Sequence, residues 1–68
     1  MNWRWLRQAV IRAIRGVMQD LSIGETYWGN RYVITRIGQE EFKVRDAFLG
    51  ITIHARKRGR RWHIEIED

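Results

Sequence analysis

Residues 48–67 read FLGITIHARKRGRRWHIEIE, and no other stretch limits the fold of this chain so tightly. Apolar and polar residues alternate on both arms around Gly59, the pattern of a β-hairpin with one buried face. With Arg58-Gly59 as a two-residue turn, Ala55 faces Trp62, His54 faces His63 and Ile53 faces Ile64. A four-residue loop from Lys57 to Arg60 keeps the same pairs. One face then carries Ile51, Ile53, Ala55, Trp62, Ile64 and Ile66, and the other Thr52, His54, Arg56, Arg61, His63 and Glu65. A slip by a single residue would put one arm's apolar set into water, so burial enforces the register.

A hairpin needs something to cover its apolar face, and the N-terminal part of the chain supplies it. Trp3, Leu6, Val10, Ala13, Ile14, Val17 and Leu21 recur at helical spacing and form one stripe, which predicts an amphipathic helix over about 3–21. Asn2 is its expected N-cap. Gly16 weakens a helix interior, so close packing against the sheet is expected there. Trp5 and Ile11 fall off the stripe. They are read either as the edge of a wide buried face or as a contact surface for a partner or a second copy.

The middle of the chain reads as strands. Residues 31–37 are rich in Tyr, Val, Ile and Thr, and 41–46 follow after a turn at Gly38-Gln39. A two- or four-residue loop there buries Val33 and Thr35, whereas a three-residue loop buries Tyr32 and Ile34, and periodicity does not choose between them. The last two strands are expected at about 49–56 and 61–67, with Gly50 at a bulge. The resulting fold class is α+β: an N-terminal amphipathic helix packed on a four-stranded antiparallel meander sheet. The alternative adds a short strand at 25–28 and rolls five strands into an SH3-like barrel. Residues 24–46, GETYWGNRYVITRIGQEEFKVRD, resemble small SH3-like or KOW-type barrels, a resemblance that carries no site residues.

At 68 residues the expectation is a single domain with a modest core, for which oligomerisation is a natural source of stability. The chain has no cysteine and no proline. No apolar run approaches the ~18 residues of a membrane span, and arginines interrupt every apolar run near the start. A soluble, cytoplasmic protein without a signal peptide or transmembrane segment is the expectation.

The chemistry-bearing residues do not assemble into a reaction. Thr52, His54 and Glu65 share one exposed face, but nucleophilic catalysis needs an oriented base in a pocket with an oxyanion site. His54 opposite His63, with Glu65 diagonal, is the nearest approach to a metal site; two surface histidines are the preferred reading, and no metal or cofactor is assigned. The glycines lack the spacing of phosphate-binding loops. The expectation is therefore a non-enzymatic protein.

What remains is charge. The formal net charge is +5, carried by 11 Arg and 2 Lys against 8 acids. Arg56, Lys57, Arg58, Arg60 and Arg61 crowd the hairpin tip, where they repel one another unless a polyanion or a partner's acids compensate. A basic β-ribbon suits phosphate contacts with DNA or RNA, with little sequence preference. Arg12 and Arg15 on the helix, or Lys43 and Arg45 on the sheet, are the expected supporting cations. The exposed sheet face, with Lys43, Arg45, His54 and His63, is read as a cationic surface, joined by Tyr32 as an aromatic for stacking where the two- or four-residue loop holds. The competing reading is a homo-oligomeric or partner-binding module, in which Trp5 and Ile11 are the interface. In that reading the acidic end, Glu65, Glu67 and Asp68, meets the basic tip of another copy.

Overall fold

A computed structural model describes residues 3–67. The helix α1 spans Arg4–Val17 and passes into a short 3-10 turn, Met18–Asp20. Five strands follow: β1 Thr26–Trp28, β2 Tyr32–Gly38, β3 Glu41–Asp46, β4 Ile51–Arg58 and β5 Arg61–Glu67. They pair antiparallel in chain order, β1-β2-β3-β4-β5, and α1 packs on one face. The class is α+β as expected, but the sheet has five strands rather than four. Among the described residues β1 and β5 do not pair with each other, so the sheet is not closed into a barrel by hydrogen bonds.

The core forms where the helical stripe meets one side of the sheet. Leu6, Val10 and Ile14 are fully buried against Ile34, Phe42, Val44, Ile53 and Ala55, with Trp62 nearly so. Ile11 is buried with them, so the buried face of α1 is wide, as burying a sheet of this breadth requires. Ile11 is therefore unavailable to a partner. Trp3 and Trp5 are exposed. The expected N-cap, Asn2, lies outside the described residues. The expectation for Gly16 is overturned: a Cβ there would meet nothing within 4 Å.

The helix stops short of Leu21 because Leu21 is already extended, and Arg36 holds the chain at that point. The Arg36 guanidinium donates to the carbonyls of Met18 at 3.0 Å and Leu21 at 2.7 Å, capping groups that a helix end leaves without partners. Arg36 faces inward because β2 carries a bulge. Arg36 pairs with Phe42, but Gly38 pairs with Glu41, leaving Ile37 as the extra residue. The bulge selects the face of β2: Ile34 lies opposite Val44 in the core, and Tyr32 lies opposite Asp46.

The register of the last hairpin differs from the expectation by two residues. Arg58 pairs with Arg61, Lys57 with Trp62, Arg56 with His63, Ala55 with Ile64, His54 with Glu65 and Ile53 with Ile66. The two-residue loop is Gly59-Arg60, with Gly59 at φ +61° and no positive φ at any non-glycine residue among those described. Placing glycine first confines positive φ to glycine, the type II′ pattern; a loop of Arg58-Gly59 in type I′ would force an arginine into the left-handed region. A shift by two keeps every side chain on its face, so the apolar set is as expected although its partners are not. Gly50, at φ +68°, ends the β3–β4 turn, where its N–H donates to the Asp46 carbonyl at 2.8 Å. It does not form a bulge, and β4 begins after it, at Ile51 rather than 49.

Candidate nucleic-acid interface

The sheet face away from α1 is built by alternation. In the row nearest the β4–β5 turn lie Arg58 and Arg61, and next Glu41, Arg56 and His63. Thr35, Lys43, His54 and Glu65 follow, and then Trp28, Val33, Arg45, Thr52 and Glu67. A basic diagonal therefore runs from the tip through Arg56 and Lys43 to Arg45. Trp28, exposed at 78 %, ends it on the β1 edge. Tyr32 does not belong to this surface, because the bulge in β2 turns it to the helix side; Trp28 is the aromatic here.

The face is also less cationic than the sequence suggests. Glu41 accepts from His54 Nε2 at 2.5 Å and lies 3.9 Å from Arg56 Nη2. His63 Nε2 lies 3.0 Å from Glu65 Oε1. His54 and His63 are not opposite each other, so the facing pair considered as metal ligands does not form. Among the described residues no group of three His, Cys, Asp or Glu side chains is placed to hold a metal ion. Thr52, His54 and Glu65 share the outer face as expected, each in a cross-strand row on an open sheet.

The densest positive charge lies where the hairpin tip meets the helix. Arg7 Nη2 donates to the Trp62 carbonyl at 2.9 Å, which brings the first turns of α1 against the edge of β5. A cleft of about 510 Å³ opens there, lined by Arg7, Arg58, Arg61, Trp62 and His63. No carboxylate lines it. The indole N–H of Trp62 is buried without an acceptor among the described residues. Lys57 pairs with Trp62 on the helix side of the ribbon, and Arg60 is exposed in the turn. The supporting cation from the helix is thus Arg7 rather than Arg12 or Arg15. Arg12 lines a separate cleft of about 380 Å³ beside Tyr27, Gly29 and Arg31, near the other edge of the sheet. Arg15 is exposed in the last turn of α1. Arg7 stands one turn after Trp3 and one turn before Val10 and Ile11, at the border of the buried face rather than on its polar side, and that spacing is the signal that sets it apart from Arg12 and Arg15.

Two other arginines serve the fold. Arg36 caps the helix end and sits 5.6 Å from the Phe42 ring centre. Arg31 donates to both oxygens of buried Asp46, and that bond raises its already high pKa further. It is also surrounded by the rings of Trp5, Tyr32 and Phe48, at 5.5, 5.2 and 5.1 Å. Desolvation pushes the Tyr32 phenol up, partly offset by Arg31. Trp5, half exposed, is thus engaged with Arg31 on its inner side.

No helix among the described residues is long and apolar enough to cross a membrane. Comparison with known proteins finds no family model, no curated protein and no solved structure that matches this chain.

Proposed function

We propose that this is a small, non-enzymatic, nucleic-acid-binding protein of the cytoplasm, which grips the phosphate backbone with the tip of its last hairpin. The observation that carries the reading is the convergence of Arg7 from the helix with Arg58 and Arg61 from the ribbon around one carboxylate-free cleft. Guanidinium groups brought together this way repel in the absence of an anion and take phosphate oxygens bidentately in its presence. The basic diagonal through Arg56, Lys43 and Arg45 offers a track for the strand to continue along, and exposed Trp28 a ring on which a base can stack. Phosphate contacts of this kind carry affinity without sequence preference.

The test is a salt titration of binding to a short single strand and a short duplex, comparing wild type with Arg58→Ala/Arg60→Ala. Both positions are exposed, so the fold is retained. The variant is expected to bind more weakly on all sequences. Its logarithmic salt dependence should be shallower by about 2, roughly one per phosphate contact removed. Unchanged affinity and slope would overturn the proposal. A second reading, a self-associating module, is favoured by the open edge of β5.

A further inference from the structure

The two edges of the sheet are unlike. β1 is three residues long and ends at Trp28, a short edge that offers little to pair with. β5 is seven residues long, has no bulge against β4, contains neither proline nor lysine, and pairs on its outer side with nothing among the described residues. In an antiparallel sheet alternate residues of an edge strand turn both backbone groups outward. The Trp62 carbonyl reaches Arg7, so Trp62, Ile64 and Ile66 are the outward set.

We propose that β5 pairs antiparallel with β5 of a second copy about a two-fold axis at Ile64, continuing the sheet across the dimer. The argument is the self-complementarity of RWHIEIE in that register. Ile64 meets Ile64 of the second copy, and Trp62 meets Ile66. His63 meets Glu65, and Arg61 meets Glu67. Every backbone pair in the set Trp62, Ile64 and Ile66 falls on an outward-facing residue, so the ladder hydrogen bonds can all form. The Trp62 carbonyl has a second lone pair and accepts the new bond beside Arg7. All four charge pairs across the seam join a basic or imidazole side chain to a carboxylate. On the helix side, Ile64 and Ile66 are only half buried and line a cleft of about 400 Å³ with Trp3, Arg4 and Arg7. In this register the second copy's Ile64 and Trp62 lie opposite Ile64 and Ile66, on the open side of that cleft. An isologous contact of this type closes at two copies.

This inference does not rest on the nucleic-acid reading and competes with it for Arg61 and His63, which the seam would pair with carboxylates; its test leaves Arg58 and Arg60 in place and uses no nucleic acid. Sedimentation equilibrium is run on the full chain, from micromolar to millimolar, for wild type, Arg61→Glu and Glu67→Arg. Both sites are exposed, so each variant folds. Wild type is expected to dimerise. Each variant alone places like charges opposite each other twice and should raise the dissociation constant about tenfold. An equimolar mixture of the two variants restores both opposite-charge pairs and should dimerise like wild type. Amide exchange at Ile64 should slow as the dimer forms, since that N–H lies on the outer side of β5, which no strand among the described residues pairs with. A wild type monomeric throughout overturns the proposal. So does a dimer that the single variants leave intact, a mixture that is not restored, or an Ile64 amide that stays unprotected in the dimer.

Discussion

Asp46 shows how much one residue can organise in a chain this short. It is fully buried at the end of β3, and its carboxylate accepts from the Arg31 side chain and from the amides of Phe48 at 2.9 Å and Leu49 at 3.1 Å. Those two amides fix the turn from β3 to β4. Asp46→Ala leaves both without an acceptor, a loss of about 2 kcal/mol at roughly 1 kcal/mol each. The ion pair with half-exposed Arg31 is left out of that figure because solvent screens it. A domain of this length has about 3–10 kcal/mol in total, so urea denaturation should register the change as a large drop in midpoint. Asp46→Asn keeps an oxygen for the amides and should lose less. Equal losses for the two variants would place the effect in the charge rather than in the turn.

Among the elements, the helix and the hairpin teach opposite lessons about glycine. Gly59 occupies a left-handed position that only glycine adopts at low cost, and it sets the hairpin register. Gly16 sits in the exposed part of α1 with open space where a Cβ would be. Gly16→Ala is therefore expected to raise stability by about 0.5–1 kcal/mol, read as a higher denaturation midpoint with an unchanged slope. A destabilised variant would mean that the helix needs a bare backbone there. The bulge at Ile37 belongs with these local devices. It turns Arg36 inward to the helix end and rotates Tyr32 off the outer face, so one extra residue alters both the core and the candidate interface.

The whole molecule separates its charges. The tip of the last hairpin and Arg7 are basic, while the far end of β5 carries Glu65 and Glu67. In the antiparallel pairing proposed for β5 those acids meet His63 and Arg61 of the second copy, which leaves Arg58, Arg56, Lys43 and Arg45 of each copy on the outer face. A folded dimer in equilibrium with unfolded monomer has a melting temperature that depends on concentration. Each tenfold increase in protein should raise it by about 3–5 °C for a chain of this size. Added salt should reduce that gain, because the seam's charge pairs are exposed. A melting temperature independent of concentration would contradict self-association.

Side-chain periodicity is a local property, and it carried the helix, its apolar stripe, and the two faces of the last hairpin. It also carried the α+β class, since a single apolar helix and a run of alternating strands can bury their faces only on each other. Other features depend on contacts between residues distant in the chain, and these had to await the packed structure. Ile37 reads like any strand residue, so the bulge that turns Tyr32 and Arg36 inward left no mark in the pattern. The choice between Arg58-Gly59 and Gly59-Arg60 as the turn hinges on which residue takes positive φ, and both choices keep the same apolar face. That is why alternation alone pairs His54 with His63, where the folded hairpin pairs it with Glu65. Helical spacing sets Arg7 at the border of the buried face and Arg12 on the polar side, but only the crossing of α1 over the sheet sends Arg7 to the tip and Arg12 to the opposite edge. The opposite signs at the two ends of β5 are plain in the residues. Their meaning as a self-complementary edge follows only once β5 is known to be the last strand of an open sheet, with Ile64 facing outward.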